Sequence, residues 1–152
     1  MEWTAPLPAV YEPFMGRLRA AEHAGDLPAA VVLADQLEQA LEGAYGPLHP
    51  YTVNVLTLRA AITARQGVDW FDTVELLTRT ALRRDEAGAQ PVSETVRAAR
   101  NAHAAWKRLS LEDPEGAMEL CESVVKMLTH FGEERRTQDI LKWVEQTRMG
   151  SR

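Results

Sequence analysis

Every proline of this 152-residue chain lies where a helix would begin or where the chain would turn. The eight prolines occupy positions 6, 8, 13, 28, 47, 50, 91 and 114. Proline lacks an amide donor and is tolerated in a helix only near its first turn, so these positions divide the chain into helices with short breaks between them. The predicted helices cover about 12–23, 27–45, 51–66, 70–87, 93–109, 114–131 and 133–148.

Spacing inside these segments also predicts helix. The sixth segment carries apolar residues at steps of four and three, which places them on one helical face: Ala117, Cys121, Val124, Leu128 and Phe131. Asp26 and Asp113 precede predicted starts as N-caps. Glycines follow four predicted ends, at positions 46, 67, 88 and 132. No alternating segment competes for a strand, so we predict an all-α fold.

The helices form pairs with a period of about 43 residues. Similar sequences begin at Gly25, Asp69 and Asp113, each leading from a turn residue into an apolar helix face. Such self-similarity is typical of helical-repeat proteins rather than of closed bundles.

The segment from Gly46 to Gly67, GPLHPYTVNVLTLRAAITARQG, resembles the long form of the tetratricopeptide repeat (TPR) found in kinesin light chains and in many bacterial, especially actinobacterial, proteins. The match lies in Gly46, Pro47, His49, Pro50, Thr52 and Gln66-Gly67. Arg59 and Thr63 depart from the pattern, and the third unit lacks the His-Pro loop. The resemblance implies a right-handed solenoid of three TPR-like helix pairs, at about 12–45, 51–87 and 93–131, with a capping helix over 133–148, all in one domain of residues 1–152.

In such a stack the first helix of each pair lines a concave groove that holds a peptide. Helix 51–66 has two apolar flanks, Val53/Leu56/Ala60/Ala64 and Val55/Leu58/Ile62, and is therefore expected to be sandwiched between neighbours. Two polar lines separate the flanks, Asn54/Thr57/Arg65 and Thr52/Arg59/Thr63/Gln66, and either could face the groove.

We predict that the chain is a non-catalytic protein-interaction module. The candidate partner-binding residues are Asn54, Arg59, Arg65, Arg97, Arg100, Asn101, His103 and Lys107. Residues 79–108 hold seven basic and three acidic side chains, net +4, although the whole chain carries −5. A basic middle favours an acidic peptide segment or a C-terminal carboxylate. The simpler alternative for each arginine is a solvated surface position, and Trp106 and Trp143 are expected in the core.

Other classes are less favoured by the sequence. Cys121 with His103 or His130 would be the candidates for covalent catalysis, but the cysteine lies in an apolar stripe, so we expect no catalytic residue. The four histidines lack paired spacing, so we expect no metal and no cofactor. A sensor of small molecules or signalling peptides, a nucleic-acid-associated adaptor and self-association remain alternatives. One cysteine and no long apolar run suggest a cytoplasmic protein that does not span a membrane.

Overall fold

The computed structural model describes residues 2–150 of the chain. Within that range it contains seven α-helices, preceded by a short 3₁₀ turn, and no β-strand. The elements are the 3₁₀ turn Ala9–Tyr11, α1 Glu12–His23, α2 Leu27–Tyr45, α3 Pro50–Gln66, α4 Trp70–Ala87, α5 Val92–Glu112, α6 Pro114–His130 and α7 Glu134–Gly150. The all-α prediction is confirmed.

Capping residues and glycines determine where the helices begin and end. The carboxylate of Asp26 accepts a hydrogen bond from the Ala29 amide at 3.2 Å, and Asp113 accepts one from the Gly116 amide at 3.0 Å. Gly67 and Gly88 end α3 and α4 in the left-handed conformation, with φ of 62° and 68°, which costs glycine little because it has no Cβ. The predicted caps and stops are confirmed at these positions.

The fifth helix is longer than the sequence pattern predicted. It runs Val92–Glu112 rather than 93–109, because no glycine or proline occurs between Pro91 and Pro114. Asp113 is both the C-cap of α5 and the N-cap of α6. The α5–α6 connection is therefore a single shared residue.

Each helix packs mainly on the helices next to it in the chain, and α4 also contacts α6. Most of the buried apolar residues form two clusters. The smaller core joins residues of α1–α3: Leu18, Ala30, Ala34, Leu37, Leu41, Val55 and Ile62. The larger core joins residues of α3–α7 and includes Leu56, Ala60, Val74, Leu77, Ala102, Trp106, Val124, Leu128 and Ile140. This arrangement is consistent with a helical bundle or a helical repeat.

Helix α3 belongs to both cores. Val55 and Ile62 lie in the smaller core, whereas Leu56 and Ala60 lie in the larger one. The predicted sandwiching of this helix between its neighbours is confirmed.

The tryptophans of the larger core lie as predicted. Trp106 is 1% exposed and donates from its indole nitrogen to the Ala117 carbonyl at 2.9 Å, and Trp143 packs edge-on against it. Among residues 2–150, no helix has both the length and the hydropathy needed to cross a bilayer.

Candidate functional site

A cavity of about 440 Å³ lies between α3 and α5, and we call it the central groove. Its lining is Trp3 and Thr4, Asn54, Thr57, Leu58, Ala60 and Ala61 of α3, Leu77 and Thr80 of α4, Gln90 and Pro91 of the following turn, and Glu94, Arg97, Ala98 and Asn101 of α5. Of the two polar lines on α3, it is therefore the one containing Asn54 and Thr57 that borders the groove.

The chain's own N-terminal segment lies against this groove. Residues 3–7, here called the N-terminal strap, line a second cavity of about 350 Å³ beside α1 and α3, and Leu7 packs on the smaller core. The side-chain amide of Asn54 donates a hydrogen bond to the backbone carbonyl of Trp3 at 3.0 Å. Trp3, which lies outside the predicted helices, is half-buried here.

A fully buried arginine is hydrogen-bonded to residues that line the central groove. Arg84, at the C-terminal end of α4, is 0% exposed. Its guanidinium donates from Nε to Thr95 Oγ1, from Nη1 to Thr57 Oγ1 and from Nη2 to the Pro91 carbonyl, each at 3.0 Å. These three bonds join α3, α4, α5 and the turn between α4 and α5 around one side chain.

Burial lowers the pKa of Arg84, and the carboxylate of Glu94, 3.7 Å away, acts in the opposite direction. An arginine starts from so high a pKa that the guanidinium stays charged at neutral pH. Arg84 is one of the seven basic residues of segment 79–108, and its burial differs from the solvated position that is the simpler expectation for each arginine. Its position three residues after Ala81, on the same helical face as Leu77, is the signal that could have predicted its burial.

The structure brings Asn54, Arg97 and Asn101 together in the central groove and places the other two α3 candidates elsewhere. Arg59 donates from Nε to the buried Glu38 at 2.7 Å, on the side of α3 that faces α2. Arg65 donates to Glu22 of α1 at 2.6 Å.

The remaining candidates, Arg100, His103 and Lys107, lie on another side of α5, facing α7. They line a cavity of about 570 Å³ between the two helices, which we call the basic cleft and whose charged lining is Arg100, His103, Lys107, Arg135, Arg136, Asp139 and Lys142. Arg100 and Arg136 both donate to Glu133, at 2.7 and 3.0 Å, and these contacts lower the pKa of its carboxyl group.

His103 is 8% exposed and lies 2.7 Å from Asp139, measured between Nε2 and Oδ2. Burial lowers the pKa of His103, since desolvation disfavours the imidazolium, and the Asp139 carboxylate opposes part of that effect. The neutral ring therefore carries its proton on Nε2 and donates it to Asp139.

The residues considered for catalysis each have contacts of their own. Cys121 is half-buried and packs against the larger core. His103 is bonded to Asp139 as described, and His130 lies 2.7 Å from the carboxylate of Asp85. Within the described range 2–150, no three histidine, cysteine, aspartate or glutamate side chains are grouped to hold a metal ion.

Comparisons of this chain with protein-family models, with curated proteins and with solved structures find no match.

Proposed function

We propose that this chain is a non-catalytic, TPR-like interaction module that binds a peptide segment of a partner protein in the central groove. The observation that carries the proposal is the hydrogen bond from the Asn54 amide to the Trp3 carbonyl. In this contact the groove already holds a non-helical piece of polypeptide by its backbone. A carboxamide can recognise the backbone of a partner in the same way, whatever its side chains.

The rest of the lining suits a peptide. Leu58, Ala61 and Ala98 provide an apolar wall for side chains, while Asn101 adds a second carboxamide. Arg97 and Glu94 contribute one charge of each sign, so the groove is close to neutral. Selectivity for an acidic partner therefore needs charges outside the central groove.

The scaffold supports the same proposal. The period of about 43 residues, the resemblance of residues 46–67 and the packing of each helix on its chain neighbours favour a right-handed TPR-like solenoid of three pairs with α7 as the cap. The buried hydrogen bonds of Arg84 hold three helices in place, so little conformational entropy is lost in the module when a ligand binds. The single thiol of Cys121 favours a reducing compartment, and we place the module in the cytoplasm.

A peptide library displayed on phage tests the proposal with the full chain as bait. We expect selected peptides to bind the Arg97→Glu/Asn101→Ala variant about tenfold more weakly, since a charged and a neutral hydrogen-bonding group are lost. The affinities are measured by isothermal titration calorimetry, with circular dichroism to show that the helices are intact.

Arg79→Glu/Gln36→Ala, at exposed positions of α4 and α2 outside the groove lining, is the matched control and leaves the affinity unchanged. Failure to select any peptide, or equal affinities for the native chain and the double variant, would contradict the proposal.

A sensor for a small molecule is the second candidate, because about 440 Å³ lies within the size range of ligand pockets. A small molecule that raises the melting temperature of the native chain but not of the double variant would favour it.

A further inference from the structure

We propose that the basic cleft between α5 and α7 is a second binding site, which takes the carboxylate side chains of an acidic peptide segment. The inference rests on the proposed function in one respect, namely that the ligand is a peptide. It assigns the selectivity for acidic partners to the basic cleft rather than to the near-neutral central groove.

The two walls of the cleft have matching geometry. On α5, the positions that face the cleft are 100, 103, 104 and 107; on α7 they include 135, 138, 139 and 142. Both sets follow the i, i+3, i+4, i+7 spacing of a single helical face. The small side chain of Ala104 leaves space between the walls, so charged groups on both helices can reach one ligand.

The cleft has more positive charge than its own carboxylates neutralise. Arg100, Lys107, Arg135, Arg136 and Lys142 line or border it. The opposing carboxylates are Glu133, bonded to Arg100 and Arg136, and Asp139, 3.8 Å from the Lys107 ammonium group.

Two of the cations have no ion pair within residues 2–150, namely Arg135 and Lys142, and both are exposed. Seven residues separate them on α7, which is about 10 Å along a helix axis. Three residues of chain in the polyproline II conformation rise about 9 Å and complete one turn, so side chains three positions apart point the same way. We therefore expect the ligand to present acidic side chains three positions apart.

The same arrangement disfavours nucleic acid as the ligand. Glu133 and Asp139 lie within the cluster of cations, where they would repel a continuous run of phosphates. A peptide can direct its carboxylates towards Arg135 and Lys142 and keep neutral residues near Asp139. Charge-assisted hydrogen bonds from arginine suit carboxylate oxygens in this setting.

Binding of fluorescein-labelled polyglutamate to the full chain at low ionic strength, measured by fluorescence polarisation, tests the inference. We expect Arg135→Gln/Lys142→Gln to weaken binding about fivefold, because each exposed charge contributes modestly. Lys126→Gln/Arg148→Gln removes the same charge from exposed positions that do not line the cleft, and it should change the affinity less than about twofold.

Equal losses in the two variants would show a net-charge effect and overturn the inference. Absence of polyglutamate binding, or equally tight binding of an oligothymidylate that the cleft variant weakens to the same extent, would also overturn it.

One further variant separates this inference from the proposed function. Asn101→Ala, in the central groove, should weaken the phage-selected peptides and leave polyglutamate binding unchanged. Polyglutamate binding that depends on the cleft, without any peptide for the central groove, would retain the inference and reject the proposed function. Peptides that bind the central groove, without polyglutamate binding that depends on the cleft, would retain the proposed function and reject the inference.

Discussion

Arg84 shows how a single buried side chain organises its surroundings. Its guanidinium bonds to Thr57, Thr95 and the Pro91 carbonyl, and Thr57 and Pro91 both line the central groove. A buried charge is costly unless its donors are paired. The groove wall is therefore coupled to the stability of the fold through this residue.

We predict that Arg84→Met lowers the free energy of unfolding by about 2 kcal/mol, because three hydrogen bonds are lost at similar side-chain volume. Urea denaturation followed by circular dichroism measures the change. Arg79→Met, an exposed position on the same helix, is the control. A variant as stable as the native chain would mean that apolar packing replaces the hydrogen bonds without loss.

His103 makes stability depend on pH. Because burial lowers its pKa below the ordinary 6.5, the folded state binds this proton less readily than the unfolded state. Its contribution to stability is complete above pH 6.5 and is lost as the pH falls through the lowered folded-state pKa, with a slope of at most about 1.4 kcal/mol per pH unit.

Urea denaturation of the native chain and of His103→Gln, from about pH 7.5 down to about pH 5, measures this contribution as the difference between the two stability curves. Glutamine keeps a donor for Asp139 but does not titrate. Parallel curves would contradict the prediction.

At the scale of elements, the N-terminal strap and α3 are linked through Asn54 and Trp3. If the groove binds a peptide, the strap occupies part of the same surface and must move away before the ligand can bind there. The measured affinity is then reduced by the fraction of molecules in which the strap is in place.

We expect Trp3→Ala to raise the affinity for phage-selected peptides about threefold, because the hydrogen bond to the backbone remains but the indole that lines the groove no longer holds the strap there. Val10→Ala, at an exposed position outside the groove, is the control, and calorimetry is the measurement. A lower affinity of the Trp3 variant would show that the ring contacts the ligand instead of competing with it.

The elements and the site differ in how far the sequence predicts them. Asp26 and Gly67 act within one turn of their own helix, so helix bounds follow from local pattern. Whether Asn54 or Arg59 lines the groove depends on which helix packs against each side of α3. A helical wheel of α3 alone does not contain that information. Trp3 lies outside any periodic segment, so nothing in its surroundings signals its contact with Asn54.

At the scale of the whole molecule, α3 connects the two cores, since Ile62 and Leu56 lie on opposite flanks of one helix. Unfolding either core removes a wall of the other. We therefore expect residues 2–150 to unfold as one cooperative unit.

We predict that Ile62→Ala, in the smaller core, costs about 3 kcal/mol and lowers the urea midpoint seen by tryptophan fluorescence and by far-ultraviolet circular dichroism alike. The fluorescence reports mainly on the larger core, where Trp70, Trp106 and Trp143 pack. Val32→Ala, at an exposed position, is the control. A fluorescence midpoint that stays unchanged would show that the two cores unfold separately.

The shared residue Asp113 limits how this chain can vary in length. It ends α5 and caps α6, so an inserted residue has no loop to occupy and would turn α6 by about 100° about its own axis. That rotation would move Val124 and Leu128 out of the larger core. The connection between α3 and α4, by contrast, carries the exposed Val68 between Gly67 and Asp69, so a change in length is better tolerated there.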